Sequence, residues 1–324
     1  MMNLSIVATL YRSAPHLEEF HARVCRTAAG ASDDYEVILV NDGSPDESLD
    51  MALRLMAVDA RLRVVDLARN FGHHKAMMTG LAHARGELVF LIDSDLEEEP
   101  ELLPLFVHRM RETHADVVYG VQNSRRGGLI ERVSGWLFFK IFNLLSDPPI
   151  PPNLVTVRLM SRRYVAALLA HRERETMIAG LWALTGFRQV PQPITKHSRG
   201  TSTYSLPRKV SLLVDSITSF SDRPLVMIFY LGLCIGGLAS VAAVYLVIRR
   251  LFFGVALPGW PSLIVSVWML GGLMLICLGV IGIYLSRVFI ETKQRPYTII
   301  RHIYERADQG VFADDSADGR QVLR

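Results

Sequence analysis

The first hundred residues alternate between short apolar runs rich in β-branched residues and longer segments in which apolar residues recur at helical spacing. The runs that predict β-strands read LSIVATL, YEVILVND, LRVVDLA and ELVFLIDSD. The segments that predict helices read APHLEEFHARVCRTA, DESLDMALRLMAV and HHKAMMTGLAHA. Such alternation predicts an α/β fold with a mostly parallel sheet and helices on both faces. Open sheets of this kind bind ligands at the carboxyl ends of their strands.

Two long apolar stretches near the C-terminus, Val226–Ile248 and Leu263–Leu285, contain no Asp, Glu, Lys or Arg. Each is long enough to cross a bilayer as a helix, which takes roughly 20 residues. The alternative is a pair of buried core helices. Small residues in both stretches favour membrane spans, because they suit close helix pairing in lipid.

Basic residues indicate how the two spans are oriented. The short connection between them carries Arg249 and Arg250, whereas more basic residues flank the pair on the outside. The outer residues are Arg208, Lys209, Arg223, Arg287, Lys293, Arg295 and Arg301. By the positive-inside rule, both termini are cytoplasmic. The segment MMNLSIVATLYRS has no basic region and too short an apolar core for a signal peptide.

Overall charge excludes one class of partner. The chain has 35 basic and 32 acidic residues and a formal net charge of +3, which is too balanced to indicate a nucleic-acid binder. The three cysteines, Cys25, Cys234 and Cys277, are far apart and form no disulfide framework, as expected in a reducing compartment.

Two of the predicted strands end in carboxylates. FLIDSD ends in Asp93 and Asp95, where like charges repel and desolvation is costly. A divalent cation resolves both problems, because hard oxygen ligands suit Mg²⁺ or Mn²⁺ held together with substrate phosphates. Asp42 follows VILVN, and its carboxylate suits a hydrogen bond to the base or ribose of a nucleotide. The alternative for Asp42 is an Asx turn that caps the helix starting near Asp46.

Two neighbouring polar clusters are predicted to be ordinary surface. His73, His74 and Lys75 begin a predicted helix, and adjacent helical side chains point in different directions, so they do not converge on one ion. The acidic block Glu97–Glu101 around Pro100 predicts a solvated helix start, where the helix dipole favours acids.

The segment RNFGHHKAMMTGLAHARGELVFLIDSDLEEEPELL resembles the core of the family 2 glycosyltransferases. It is similar to their polyprenyl-phosphate branch, which includes dolichol-phosphate mannose synthase and bacterial glucosyl and aminoarabinosyl relatives. That branch shows Arg-Asn-Phe-Gly, then Gly and Ala on a helix, then Asp-Ala-Asp-Leu-Gln. The matching positions are Arg69, Asn70, Phe71, Gly72, Gly80, Gly86, Asp93, Asp95 and Leu96. Further blocks match in order, among them EVILVNDGSPDESL, RLMSRRYVAALL, GFRQV and IGIYLSRVFIETKQRP.

The resemblance implies a Rossmann-like GT-A fold, a nucleoside-diphosphate sugar donor and a polyprenyl phosphate acceptor such as undecaprenyl phosphate. It also implies Mg²⁺ or Mn²⁺ as cofactor, a bacterial inner-membrane location and, as an open alternative to a monomer, a homo-oligomer. The residues implied in metal binding are Asp93, Asp95 and Glu97. Those implied in donor binding are Thr9, Tyr11 and Asp42. Catalysis is assigned to Asp93, Asp95 and Arg69, the last through the donor diphosphate, with a solvated surface charge as the alternative for Arg69.

The acceptor phosphate is expected to meet basic and polar side chains near the bilayer. The residues assigned to it are Arg158, Arg162, Arg199, Ser202, Tyr204 and Lys209. Surface charge is the alternative for the first two, and flanking charge of the spans is the alternative for the others. Segments 205–224 and 135–145 predict helices in the membrane interface, although the second also suits a core helix.

Two positions depart from the family pattern Asp-x-x-Asp-Phe-Arg-Leu, because Asn153 and Thr156 replace both acids. The first strand also lacks the usual Pro-x-Tyr-Asn-Glu ending. If either acid is an essential base, the chain is a weak enzyme or a scaffold that binds nucleotide sugars. We favour a subgroup with a different sugar or acceptor, because the metal motif is intact.

The expected organisation has four parts. They are a GT-A domain at 1–204, an interfacial helix at 205–224, a two-helix membrane domain at 225–289 and a cytoplasmic tail at 290–324. The expected reaction transfers a sugar from the nucleotide donor to a polyprenyl phosphate at the cytoplasmic face. Direct attack by the phosphate inverts the anomeric carbon. Another lipid-linked acceptor is the alternative.

Overall fold

The computed structural model describes residues 3–122, 140, 153–171, 173, 178–196, 223–253 and 259–306. The chain divides into two compact units. The first contains Met1–Phe139, Ile150–Tyr204 and Arg295–Arg324, and the second contains Lys140–Pro149 and Ser205–Gln294.

One sheet organises the first unit, in the order β7-β5-β6-β4-β1-β2-β3-β8. Its strands are β1 (Leu4–Leu10), β2 (Tyr35–Asn41), β3 (Leu62–Leu67), β4 (Leu88–Leu91), β5 (Val117–Gln122), β6 (Leu154–Ser161), β7 (Gln189–Ile194) and β8 (Ile300–Tyr304). Its helices are α1 (Ala14–Ala31), α2 (Ser48–Val58), α3 (His73–His83), α4 (Leu103–Thr113), α5 (Arg162–Ala170) and α6 (Ile178–Leu184).

The first four strands are parallel, and β1, β2 and β3 are buried along their whole length. This burial explains their nearly continuous apolar sequences, since helices cover both faces of a parallel sheet. The predicted α/β fold with a mostly parallel sheet is confirmed. The edge at which β1 to β4 end is called here the carboxyl edge, and the edge at which they begin is called the amino edge.

Helix α3 packs closely on the centre of the sheet. A Cβ atom on Gly80 would lie 2.5 Å from Cγ1 of Val7 and 2.9 Å from Cγ2 of Val40, so only glycine allows this approach. Because α3 follows β3 and runs back across the sheet, its first residue, His73, lies at the carboxyl edge.

The end of the described chain returns to the sheet as β8, which pairs antiparallel with β3. The segment predicted as a tail from residue 290 therefore begins with the last turn of a helix and then supplies an edge strand. The three central residues of β8 are exposed, and this made the strand hard to recognise in the sequence, because an edge strand lacks the apolar run of a buried strand.

The second unit contains α7 (Arg223–Phe253) and α8 (Trp260–Thr292), which contact each other. Within them, Arg223–Ala242 and Ser266–Thr292 have mean hydropathies of 2.2 and 2.3 and are long and apolar enough to cross a membrane. The predicted spans thus fall on two helices of suitable length and composition. The predicted interfacial helices lie outside the described residues, apart from Lys140 and the first two residues of α7.

Candidate active site at the carboxyl edge

The two predicted carboxylate sites meet at the carboxyl edge. Asp42 follows β2, while Asp93 and Asp95 follow β4, which ends earlier than predicted, at Leu91. The Ser94 hydroxyl between the two aspartates donates to the Thr9 carbonyl oxygen at 2.8 Å. This bond fixes the Asp-Ser-Asp turn against the end of β1, so that the local fold orients both carboxylates.

Asp42 supports the loop that follows β3. Its Oδ1 accepts a hydrogen bond from the Phe71 amide at 2.7 Å, and its Oδ2 accepts one from the Gly72 amide at 3.0 Å. Gly43 has a φ of +57°, and a Cβ atom there would lie 2.4 Å from the amide nitrogen of Asn70. Burial raises the Asp42 pKa, although the two amides oppose this. The Arg-Asn-Phe-Gly loop is therefore held directly beside the end of β2.

The side chain that supports the start of α2 is Asp46, whereas Asp42 accepts from the Phe71 and Gly72 amides. The Asp46 carboxylate accepts hydrogen bonds from the Ser48 amide and hydroxyl. The Asx-turn alternative for Asp42 is therefore wrong.

His73 links the first strand to the Asp-Ser-Asp turn. Its Nδ1 lies 3.0 Å from Oγ1 of Thr9, and its Nε2 lies 3.2 Å from Oδ1 of Asp93. Burial opposes protonation, but the hydrogen bond and charge of Asp93 raise the His73 pKa overall. His73 does lie on the exposed helix surface as predicted, with its side chain 45% exposed, but its contacts with Thr9 and Asp93 were not predicted. The signal in the sequence was its position as first residue of a helix, directly after Gly72.

Asp93 is the most strongly supported carboxylate of the site. Burial disfavours its ionised form, yet the hydrogen bond and charge of His73, the Thr156 hydroxyl and the charge of Lys196 keep its pKa below the ordinary value. Thr156 thus offers a hydroxyl to Asp93 at one of the two positions where the family pattern has an acid.

Asp95 is more exposed and less supported. The backbone amide of Glu97 donates to Asp95 Oδ1 at 2.9 Å. Burial raises the Asp95 pKa, and the charges of Asp93 and Glu97 raise it further. Added positive charge nearby would therefore stabilise the ionised form of Asp95.

Glu98 is fully buried, so the prediction of a solvated acidic helix start is wrong at this residue. Its Oε1 accepts a hydrogen bond from the Thr156 amide at 3.2 Å, while its Oε2 has no hydrogen-bond partner in the described part of the chain. Burial raises the Glu98 pKa to about 8, and the charge of Asp93 adds to this. Nothing in the local sequence separates Glu98 from its exposed neighbours, because its burial depends on β6, far along the chain.

Lys196 is the basic residue nearest these acids among those described. Its Nζ lies 3.1 Å from Oε2 of Glu97 and 3.9 Å from Oε1 of Glu98. Burial disfavours its charged form, but the two glutamates raise the Lys196 pKa, so that it remains an ammonium.

The residues Asp93, Asp95, Glu97 and Glu98 are called here the acidic cluster. Within the described residues, Lys196 and His73 are among the basic side chains in contact with it. The cluster brings carboxyl groups together in a partly buried site, where the charge of Asp93 raises the pKa of both Asp95 and Glu98. Oxygen donors that repel one another in this way fit a hard divalent cation. The predicted metal residues Asp93, Asp95 and Glu97 follow one another closely after β4, and Glu98 interacts by charge with Asp93 and Asp95.

Two other predicted residues line the same edge from exposed positions. Tyr11, after β1, is 48% exposed. The Arg69 guanidinium donates to the Asn70 carbonyl oxygen at 3.0 Å and lies over the Phe71 ring, 4.0 Å from its centroid. Stacking on the Phe71 ring holds the Arg69 guanidinium on the loop that Asp42 supports, and the guanidinium faces solvent there.

The two described arginines assigned to the acceptor phosphate differ in position, and Arg158 lies opposite Leu91 at the end of β4. Arg158 is fully buried, lies over the Trp182 ring, and donates to the Thr156 and Val155 carbonyl oxygens. Burial lowers the Arg158 pKa to about 9. This burial argues against direct contact with a phosphate.

Arg162 lies at the amino edge, because β6 runs antiparallel to β4 and places Ser161 opposite Leu88. Its amide donates to the Glu87 carbonyl oxygen at 2.8 Å, and its guanidinium donates to the Ala84 carbonyl oxygen. A role for Arg162 at the carboxyl edge is therefore wrong. The other assigned residues, Arg199, Ser202, Tyr204 and Lys209, lie outside the described residues.

A parallel-sheet domain with an acidic cluster and an Arg-Asn-Phe-Gly loop at its carboxyl edge has the features of a GT-A glycosyltransferase. The sequence profile described as Glycosyl transferase family 2 matches residues 5–169, about half of the chain. The chain belongs to glycosyl transferase family 2.

Relatives match over nearly the whole chain. A protein named among the glycosyltransferases of Mycobacterium tuberculosis (strain CDC 1551 / Oshkosh) is 54% identical over 94% of this chain and 89% of its own. The bactoprenol glucosyl transferase of Shigella phage SfV is 31% identical over 93% of this chain and 99% of its own. Among solved structures, the chain is similar to glucosyl-3-phosphoglycerate synthase from Mycobacterium tuberculosis, at 21% identity over 67% of this chain and 79% of that one, with a TM-score of 0.45.

Proposed function

We propose that this glycosyltransferase moves a sugar from a nucleoside-diphosphate sugar to a polyprenyl phosphate at the cytoplasmic face of the membrane. One observation carries the choice of acceptor. The similarity to bactoprenol glucosyl transferases covers about 93% of the chain, so it continues past the family 2 region into both apolar helices. A soluble acceptor would not require those helices.

The residues proposed to hold a divalent metal are Asp95 and Asp93, with Glu97 beside them. When bound there, Mg²⁺ or Mn²⁺ neutralises the charge that develops on the leaving nucleoside diphosphate. His73, whose Nε2 lies 3.2 Å from Asp93 Oδ1, orients this carboxylate by its charge, and the Thr156 hydroxyl supports the same carboxylate. Partners of this kind increase the affinity of a metal site, because they fix the direction of the ligand oxygen.

The donor is proposed to lie along the rest of the carboxyl edge. Asp42 and Thr9 border the nucleoside pocket, with Tyr11 at its exposed rim. Arg69 is positioned by Phe71 to give the diphosphate a second positive contact. Asp42 borders the nucleoside end of the pocket and also holds the loop that carries Arg69, so the same residue positions both ends of the donor site.

The acceptor is proposed to attack directly. A phosphate oxygen of the lipid forms the new bond to the anomeric carbon, while the bond to the nucleoside diphosphate breaks and its electron pair leaves with that group. This in-line displacement inverts the anomeric carbon. Because the phosphate is already an anion, no general base has to remove a proton. The loss of acids at Asn153 and Thr156 is therefore compatible with turnover.

The membrane arrangement is proposed from the course of the chain. The segment after α8 pairs with β3 as β8, and so it ends on the same side of a membrane as the sheet. Two crossings, by α7 and α8, satisfy this requirement. The basic flanks outside the helix pair support a cytoplasmic location for that side, in the inner membrane of a bacterium.

The test is a transfer assay with the full chain in detergent and a panel of nucleotide sugars that begins with UDP-glucose. Mg²⁺ or Mn²⁺ is added, and the acceptors are undecaprenyl phosphate and, in parallel, lipid-linked saccharides. The expected result is one sugar on undecaprenyl phosphate, with inverted configuration and loss of product when a chelator is added. Product on a saccharide acceptor alone would contradict the proposed acceptor. Nucleotide-sugar binding without turnover on any acceptor would favour the scaffold alternative.

A further inference from the structure

A second cluster of metal-ligating side chains lies outside the acidic cluster, between α1 and the end of α2. His21 and Cys25 are four residues apart on α1, so they share one face of the helix. Asp59 directly follows α2, shortly before β3 begins, and therefore lies toward the amino edge. The cluster is thus separate from the proposed site of glycosyl transfer.

The three ligand atoms converge. His21 Nε2 lies 3.2 Å from Asp59 Oδ2, Cys25 Sγ lies 3.3 Å from the same oxygen, and Cys25 Sγ lies 3.4 Å from His21 Nε2. In a tetrahedral Zn²⁺ site, bonds of about 2.0 Å to nitrogen and oxygen and about 2.3 Å to sulfur place ligand atoms roughly 3.3 to 3.6 Å apart. The triangle already has nearly the size of one face of that tetrahedron.

The surrounding charges are compatible with a bound cation. Burial lowers the His21 pKa, although Asp59 opposes this, and the lowered pKa favours the neutral imidazole that ligates metals. Arg61 binds mainly the other carboxylate oxygen, with its Nε 2.9 Å and its amide 3.0 Å from Asp59 Oδ1. This pairing leaves Oδ2 directed at His21 and Cys25. Burial raises the Cys25 pKa to about 11, which lowers the affinity for a metal ion because the thiol must lose its proton. The nearby Arg61 charge also lowers the affinity for a cation.

We propose that His21, Cys25 and Asp59 bind Zn²⁺, with water as the fourth ligand. The ion takes the place of the thiol proton, which is released to solvent, and ties α1 to the end of α2. The His21 side chain is 11% exposed, so the cluster lies near enough to the surface for an ion to enter. A hydrogen-bonded cluster without a cation is the alternative that the experiment has to exclude.

The experiment titrates the full chain in detergent with Co²⁺ after removal of metals by a chelator. A thiolate bound to Co²⁺ absorbs in the near ultraviolet, whereas the acidic cluster offers only oxygen and cannot produce this band. We expect the band to saturate at one equivalent and to disappear when Zn²⁺ is added. Cys25→Ser should abolish it, and Cys234→Ser, at an exposed cysteine of α7, should leave it unchanged.

Two further variants test the other ligands. His21→Gln and Asp59→Asn should each weaken Co²⁺ binding by about tenfold to 100-fold or more. Thermal unfolding of each metal-free variant checks that it is folded. The proposal is overturned if the wild-type chain shows no thiolate band at millimolar Co²⁺, or if the band persists in Cys25→Ser. Because the readout is absorbance, the outcome does not depend on glycosyl transfer.

Discussion

Charged side chains are arranged differently at the two edges of the sheet: acids and bases alternate at the amino edge, whereas acids are grouped at the carboxyl edge. At the amino edge, Arg63 lies 3.0 Å from buried Glu36 and 2.9 Å from Glu305, which is also 3.1 Å from Arg85. Acids and bases there are equal in number and alternate. At the carboxyl edge, the acidic cluster places four carboxyl groups together, with Lys196 and His73 among the bases that contact it.

This difference helps to distinguish a charge network that stabilises the fold from a site that binds a ligand. Buried charges are costly unless they are paired, so a balanced network such as that around Arg63 needs no ligand. Acids that repel one another are stabilised by a bound cation, and the charge of Asp93 raises the pKa of both Asp95 and Glu98. The acidic cluster therefore fits a cationic ligand, and four predictions test the contrast.

The largest effect is expected at the carboxyl edge, for Asp95→Ala. Removing a carboxylate proposed to hold the metal should lower the transfer rate by about 1,000-fold, which corresponds to about 4 kcal/mol of transition-state stabilisation. The measurement is initial rate at saturating donor and metal. Arg162→Gln, a cation lost at the amino edge, should stay within about twofold of wild type. Equal losses in both variants would remove the functional distinction between the edges.

The next effect is on stability, at the amino edge. Arg63→Ala leaves buried Glu36 without its arginine and should lower the free energy of unfolding by about 3 kcal/mol. Arg85→Ala removes an arginine whose side chain is 57% exposed and should cost about 1 kcal/mol or less. Denaturant unfolding measures both. A small loss for Arg63→Ala would mean that its pairing with Glu36 contributes little.

A smaller effect is expected for His73→Ala. Loss of the partner that orients Asp93 should reduce the transfer rate about tenfold to 100-fold and raise the metal concentration needed for half-maximal rate. His73→Gln, which keeps an amide donor toward Asp93, should recover part of the loss. His74→Ala, at the next residue, is the control and should behave as wild type. An unchanged metal requirement in His73→Ala would argue that the histidine does not act through Asp93.

The smallest effect concerns pH and Glu98. Its folded pKa of about 8 lies above the ordinary value of 4.5, so the folded chain holds a proton that the unfolded chain releases. Stability should therefore fall as pH rises from about 4.5 to 8. Glu98→Gln is neutral throughout and should be more stable than wild type at pH 8 by about 1 kcal/mol or more, with no difference at pH 4.5. Thermal unfolding in metal-free buffer at both pH values measures this, and parallel pH profiles would contradict the buried, protonated Glu98.

Local sequence was sufficient to predict the strands and helices that form the carboxyl edge. The first four strands and three helices were predicted because each has its own periodicity, and the strand-end aspartates could be placed from topology alone. Asp93 and Asp95 were recognised as a pair for the same reason. Their spacing is local, and their position after an apolar run is visible in the sequence.

Contacts between distant segments could not be predicted. Glu98 is buried by β6, and Arg162 is carried to the amino edge because β6 is antiparallel, a direction that no local pattern specifies. His73 is recruited by Thr9, 64 residues earlier in the chain. The sequence therefore indicated the metal motif but not the side chains that orient it.

The position of β8 has a consequence for how the enzyme is made. The strand lies after both apolar helices, so the ribosome must synthesise α7 and α8 before Glu305 can reach Arg63. Domains generally fold as they emerge during synthesis, but this sheet cannot gain its last edge strand until the helices that precede it have been translated. Completion of the catalytic sheet is thereby tied in time to the synthesis of the two apolar helices, and a chain arrested before α8 would lack the strand that pairs with β3.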